Sequence, residues 1–171
     1  MMRQFFLILV PMFLTASLAL GQTDSTDTYE LSEDALILLD EVPVNKADME
    51  EYDPTEIAFI TIVKGKDLHG PTGGSKETIY VYTKKYARQH YWNYFKSKSP
   101  RYVEIVPLPG VEDDVAYILN GNVLEENIES LLYDINDSNF GDLKVIGEKE
   151  LKKKFKVKGK KWGVLLTVKG L

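Results

Sequence analysis

The chain has 171 residues, 21 Lys plus Arg against 26 Asp plus Glu, 44% hydrophobic residues and no cysteine, a globular rather than a disordered or fibrous composition. With His69 and His90 as the only imidazoles, thiolate zinc sites, disulfide scaffolds and thiol nucleophiles are excluded, and haem or iron–sulfur ligation lacks its usual ligands. Removing a leader of 21 residues leaves 150, enough for a domain that hides about 70% of the surface of its unfolded chain.

Residues 1–21 read as a secretory signal peptide: Met1-Met2-Arg3 supplies the positive start, Phe5 to Leu20 the apolar stretch, and Ala19-Leu20-Gly21 the small residues at the cleavage site. No other apolar run approaches the length of a membrane span, so the expectation is an exported protein that does not span a membrane after cleavage. It would reside in the periplasm or at the outer membrane, or be secreted. Residues 22–34 form a polar, acidic, flexible lead-in. From Gln22 to Val63 there are 12 acids and one base, and from Lys64 to Leu171 there are 14 acids and 19 bases. Those sums, −11 and +5, give −6 for the chain after the leader, an asymmetry that would serve a partner or simply draw the two halves together as they fold.

The run Ala35 to Leu39 reads as a buried strand that leaves through a Pro-marked bend at Asp40-Glu41-Val42-Pro43-Val44. Asp53-Pro54 starts a short helical turn, and Ala58 to Val63, apolar and β-branched, is a second strand. Asp67 to Gly74 is a Gly-rich loop, and Thr78 to Thr83 is a strand in which nearly every residue favours β structure. Lys84 to Ser97 lacks Gly and Pro and predicts a helix that stops before Pro100, with Ala87, Tyr91 and Tyr94 on one stripe and Trp92 and Phe95 beside it. Arg101 to Val111 is a connector with a short strand at Tyr102 to Val106.

The second half replays the first. Ala116 to Leu124 is an apolar run, a tight turn at Asn120-Gly121 and a returning apolar pair; Glu125 to Tyr133 turns Ile128, Leu131 and Leu132 inward; Leu143 to Gly147 and Trp162 to Lys169 are strands. Leu39 to Ile60 spans 21 positions and Leu119 to Leu143 spans 24, while Ile60 to Ile79 spans 19 and Leu143 to Val164 spans 21. Three matched strands in the same order indicate an internal duplication.

Ile37-Leu38-Leu39-Asp40-Glu41-Val42-Pro43-Val44, then Asp53-Pro54-Thr55-Glu56-Ile57, then Ile60-Thr61-Ile62-Val63-Lys64-Gly65 and Thr83-Lys84-Lys85 together resemble the plug domain of TonB-dependent outer-membrane receptors, closest to the nutrient importers of Bacteroidota. The resemblance covers residues 35–85 and, in degenerate form, 115–171, with 86–114 as a connecting helix and Pro-rich linker. It departs from the family at Glu41, where those receptors carry Gly, and at Leu68-His69-Gly70, where they carry a Tyr-Gly step. These 171 residues hold no 22-stranded barrel. The resemblance implies an α+β fold of two small plug-like units, each with a mixed β-sheet and short helices, joined by the aromatic amphipathic helix. It implies a partner in the cell envelope, an outer-membrane receptor or a sensor.

Candidate chemistry is sparse. Gly70 to Glu77 has the glycines of a phosphate loop, but Ser75 precedes Lys76, Glu77 follows it, and a strand comes next where a helix terminus should face the anion; it reads as a turn. His69 and His90 lack a partner ligand at helical or turn spacing, and Ser32, Ser75 and Ser130 sit in no nucleophile elbow. Asp113 with Asp114, or Glu125 with Glu126, would hold calcium, although the 12-residue calcium loop is not present, would serve a hydrolase that works with a carboxylate pair, or would simply be a solvated face. No metal or other cofactor is called for. Glu148 to Lys161 carries eight lysines around Leu151, Phe155 and Val157, the composition of a polyanion or lipid-head-group binder or of a short helix with a wet basic face. The candidate interaction residues are Tyr91, Trp92 and Phe95, as an aromatic platform or a buried joint between the repeats, and Lys152, Lys153, Lys154, Lys156, Lys160 and Lys161. The expected work is non-enzymatic protein interaction with no nucleic acid partner, and Thr78 to Thr83 or Val164 to Val168 would accept a partner strand if either forms a free edge.

Overall fold

The computed structural model describes residues 35–64 and 77–170. The leader, the lead-in, the Gly-rich loop, His69, Ser32 and most of the phosphate-loop-like segment lie outside the described residues. The fold is α+β, with two four-stranded mixed sheets and short helices.

The first sheet comprises β1 (Leu36–Leu39), β2 (Val42–Val44), β3 (Ile57–Lys64) and β4 (Glu77–Thr83), in the order β2-β1-β4-β3. A five-residue helix, α1 (Lys46–Glu50), follows β2, and a 3-10 turn at Pro54–Glu56 leads into β3. Two helices, α2 (Lys84–Lys98) and α3 (Pro100–Ile105), lead to the second sheet of β5 (Val115–Leu119), β6 (Asn122–Val123), β7 (Phe140–Gly147) and β8 (Trp162–Val168), in the order β6-β5-β8-β7. Helix α4 (Ile128–Tyr133) precedes β7, and α5 (Glu148–Phe155) lies between β7 and β8.

The sheets match in detail. Each has an antiparallel hairpin, a parallel pair at its centre and an antiparallel outer pair. Leu39 and Ile60 both face Val81 in the first, as Leu119 and Leu143 both face Leu166 in the second. Both outer pairs also shift register at the same place, between Ile57 and Phe59 and between Phe140 and Asp142. At the second bulge a Cβ on Gly141 would stand 2.9 Å from the Thr167 carbonyl oxygen, too close for any side chain.

The hairpin turns explain why these strands meet. Asp40 and Glu41 have φ of 49° and 71°, and Asn120 and Gly121 have φ of 48° and 88°, the left-handed pair that a two-residue hairpin needs. Asp40 then accepts from the Thr83 backbone N–H and hydroxyl, each at 2.8 Å. Asn120 stands in its place in the second sheet, accepting from the Val168 N–H at 2.9 Å and donating to the Val168 carbonyl at 3.2 Å. Each turn side chain thus pins its hairpin to the end of the central strand. The bend in the first half is this turn and not Pro43, which sits within outer strand β2, where a missing N–H is tolerated.

Thr83 also caps α2, because its hydroxyl oxygen accepts from the Tyr86 N–H at 3.0 Å. Ser99 closes α2 and caps α3, with Pro100 at the first helical position. The short strand expected at Tyr102 to Val106 is therefore a helix. The Ser-Pro step starts it, and the fully buried Tyr102 ring anchors it.

Helices cover both faces of the second sheet. On one face Tyr91, Phe95, Tyr102, Leu132 and Ile135 pack on Tyr117, Leu119, Val164 and Leu166. On the other, Leu151 of α5 packs on Ala116, Ile118 and Ile146. The first sheet has a smaller cluster, Ile37, Ile79 and Val81 with Met49 of α1 beside them. Its opposite face presents Phe59 and Tyr82, whose rings lie 5.1 and 4.9 Å from that of Tyr133 in α4. β4 and β8 are interior strands of their sheets, so neither Thr78 to Thr83 nor Val164 to Val168 is a free edge; among the described residues the outer strands are β2, β3, β6 and β7.

Candidate functional site

The aromatic residues singled out by sequence are core. Tyr91, Trp92 and Phe95 are 1%, 7% and 0% exposed, so they join α2 to the second sheet and present no platform to a partner. The Trp92 indole N–H donates to the Val106 carbonyl at 2.8 Å, tying α2 to the end of α3. The lysines divide into two groups. Lys152, Lys153 and Lys154 lie on the exposed face of α5, with Lys154 paired to Glu150. Beyond the helix, Lys156 donates to the Lys153 carbonyl at 3.1 Å, Lys160 to the Asp113 carbonyl at 2.6 Å, and Lys161 pairs with Asp114.

The paired acids Asp113, Asp114, Glu125 and Glu126 are exposed. A different acid is drawn inward. Glu112, in the linker, accepts from the Tyr91 hydroxyl at 2.8 Å through Oε2, while its Oε1 is buried without a hydrogen bond. Tyr117 donates or accepts across 2.9 Å with Tyr102, so three buried phenols and one carboxyl share a cluster in the second core. Burial pushes the Glu112 carboxyl above its ordinary range, and the Tyr91 hydrogen bond and the Arg88 charge only partly oppose it. Arg88 itself bridges α2 to α4, donating from Nε and Nη2 to Glu129 Oε1 at 3.1 and 2.7 Å. Nothing in the sequence marks Glu112, because a lone Glu before Asp-Asp looks like the rest of a solvated linker.

A carboxyl whose pKa is raised by folding stabilises the fold most when protonated. The folded state then holds the proton more tightly, and stability falls as pH rises from the unfolded value through the raised one. Glu112→Gln is expected to remove this slope and to be more stable than the parent near neutral pH. Urea denaturation of both proteins from about pH 4 to about pH 7 measures it, and parallel pH profiles would show that Glu112 does not carry the titration.

Several surfaces are open to a ligand or partner, among them a groove, a cavity beside it and a sheet edge. One is a groove of about 680 Å³ between β5, β6, the start of α4 and the turn after α5; Val123, Leu124, Ile128, Phe155 and Val157 form its apolar walls, with Lys156, Lys158 and Lys160 beside them. A smaller cavity of about 180 Å³, sharing Val115, Tyr117, Ile128 and Lys160 with it, is lined by Arg88, Glu112 and Glu129. The sheet edge is β3, an eight-residue outer strand whose Ile60 and Ile62 are 56% and 41% exposed. Their counterparts by register in the second sheet, Leu143 and Val145, are half-buried against the core that α2, α3 and α4 form.

Among the described residues no cluster of His, Asp or Glu has the arrangement of a metal site, and no helix is long and apolar enough to cross a membrane. No protein-family model, no curated protein and no solved structure matches the chain.

Proposed function

We propose that this protein is a non-enzymatic interaction module of the cell envelope, and that it takes an extended segment of a partner protein onto the outer edge of its first sheet. One observation carries this reading. β3 is eight residues long, has Ala58 as its only irregularity, and exposes two large β-branched side chains, Ile60 and Ile62, on one face. An outer strand of this kind, with neither Pro nor an inward charge in its middle, offers a row of backbone donors and acceptors for strand addition and apolar side chains for selectivity. The leader-like residues 1–21 and the plug resemblance of residues 35–85 support the envelope as the setting.

The test is photo-cross-linking in the envelope of the native cell from a reactive residue at Thr61. A discrete protein adduct is expected from the parent. The double variant Ile60→Lys, Ile62→Lys should lower its yield at least tenfold, because two charges on the edge oppose docking, while shifting stability by only about 0.5 kcal/mol as exposed substitutions do. Equal labelling by both proteins, or none by the parent, would remove β3 as the docking edge.

A further inference from the structure

The groove beside β5 is separate from β3 and has a chemistry of its own. We propose that it binds a single-chain amphiphile with an anionic head, of which a fatty acid is the simplest, with the alkyl chain along Val123, Leu124, Ile128, Phe155 and Val157 and the head at Lys156 and Lys158.

The walls come first. These five side chains are half-buried, so each keeps apolar surface in water that an alkyl chain would cover. The volume, about 680 Å³, lies in the range of small-molecule sites and is confined by helix, strand and turn. A partner protein needs a broader surface than this crevice.

The charge is one-sided. Lys156, Lys158 and Lys160 all belong to the turn that follows α5, whereas the bank formed after β6 carries one acid, Glu125. The turn aims them: Lys156 adopts φ of 62° at the helix end, reversing the chain so that Val157 joins the wall while Lys156 and Lys158 remain exposed. Lys158 makes no ion pair among the described residues, and the Lys156 and Lys160 ammonium groups each use one of their three donors on a backbone carbonyl, those of Lys153 and Asp113. Apolar walls with cations along one bank fit an amphiphile with one anionic head. A polyanion would draw on the lysines without the walls, and a neutral lipid on the walls without the lysines. The lining contains lysines and no arginine, so it offers point charges that suit a single anionic head without demanding a planar, bidentate one.

The experiment is calorimetric titration of the full chain with dodecanoate below its micellar concentration, with dodecanol and acetate in parallel. Saturable one-to-one binding of dodecanoate is expected, with dodecanol about tenfold weaker and acetate not detected. Lys156→Gln with Lys158→Gln should weaken dodecanoate about tenfold and leave dodecanol unchanged, whereas Lys152→Gln with Lys153→Gln, on the outward face of α5, should change neither. All four lysines are exposed, so the variants are expected to fold, and circular dichroism checks this. No saturable binding, equal affinity for dodecanoate and dodecanol, or displacement of dodecanoate by an acidic peptide at comparable concentration would each overturn the proposal.

Discussion

Phe95→Ala is expected to cost about 3–5 kcal/mol of folding stability, the range for truncation of a buried aromatic side chain. The Phe95 ring is fully buried, 5.8 Å from Tyr91 and 5.5 Å from Tyr102 between centroids. Both neighbours are held in place by their own hydrogen bonds, Tyr91 to Glu112 and Tyr102 to Tyr117, so the cavity cannot close by letting them slide inward without breaking those bonds. Lost contact and retained void therefore add. The effect should not stay local, because α2 carries Phe95 into the second core, starts at Thr83 of the first sheet and stacks Tyr86 on Tyr82. Urea denaturation followed by circular dichroism measures the loss. A cost below about 1.5 kcal/mol would mean that the core around α2 repacks freely.

The second large effect is a coupling between two residues on the other face of the second sheet. Leu151 is fully buried, and Leu151→Ala is expected to cost about 2–5 kcal/mol. Gly163 lies beneath it: a Cβ there would stand 2.8 Å from Leu151 Cδ1, 2.9 Å from Ile146 Cγ1 and 3.3 Å from Ile118 Cδ1. Gly163→Ala alone should therefore overpack the interface and cost about 1–3 kcal/mol. In the double variant the closest obstructing methyl is gone and the new methyl occupies part of the space it left. The combined cost is then expected to fall short of the sum of the single costs by about 0.5–3 kcal/mol. A strictly additive cycle, measured by equilibrium unfolding of the four proteins, would show that α5 does not rest on Gly163.

Local chemistry made much of this architecture readable. Asn120-Gly121 is a turn because both positions accept positive φ, Asp53 caps the 3-10 turn with its own carboxylate, and Leu151 with Phe155 at helical spacing place α5 face down. Tyr102 to Val106 misled because aromatic and β-branched residues favour strands in isolation, whereas Ser99 and Pro100 start a helix that the core then holds. The candidate sites were less readable still. Tyr91, Trp92 and Phe95 carry the same residue types whether they stack on a partner or fill a core, and only burial separates the two. Glu112 gave no signal because its environment comes from Tyr91, Tyr117 and Arg88, which lie five or more positions away.

The pattern of apolar runs, turn residues and caps determined the strands of both sheets and the helix at α2, since each depends on neighbours a few residues apart, but not α1 or α3. Tertiary structure alone decided that β4 and β8 lie at the centres of their sheets and β3 at an edge. It also decided that Lys156 and Lys158 flank an apolar groove while Lys152 and Lys153 face water. Strand order and groove formation depend on contacts between residues tens of positions apart, and single-sequence periodicity carries no record of them.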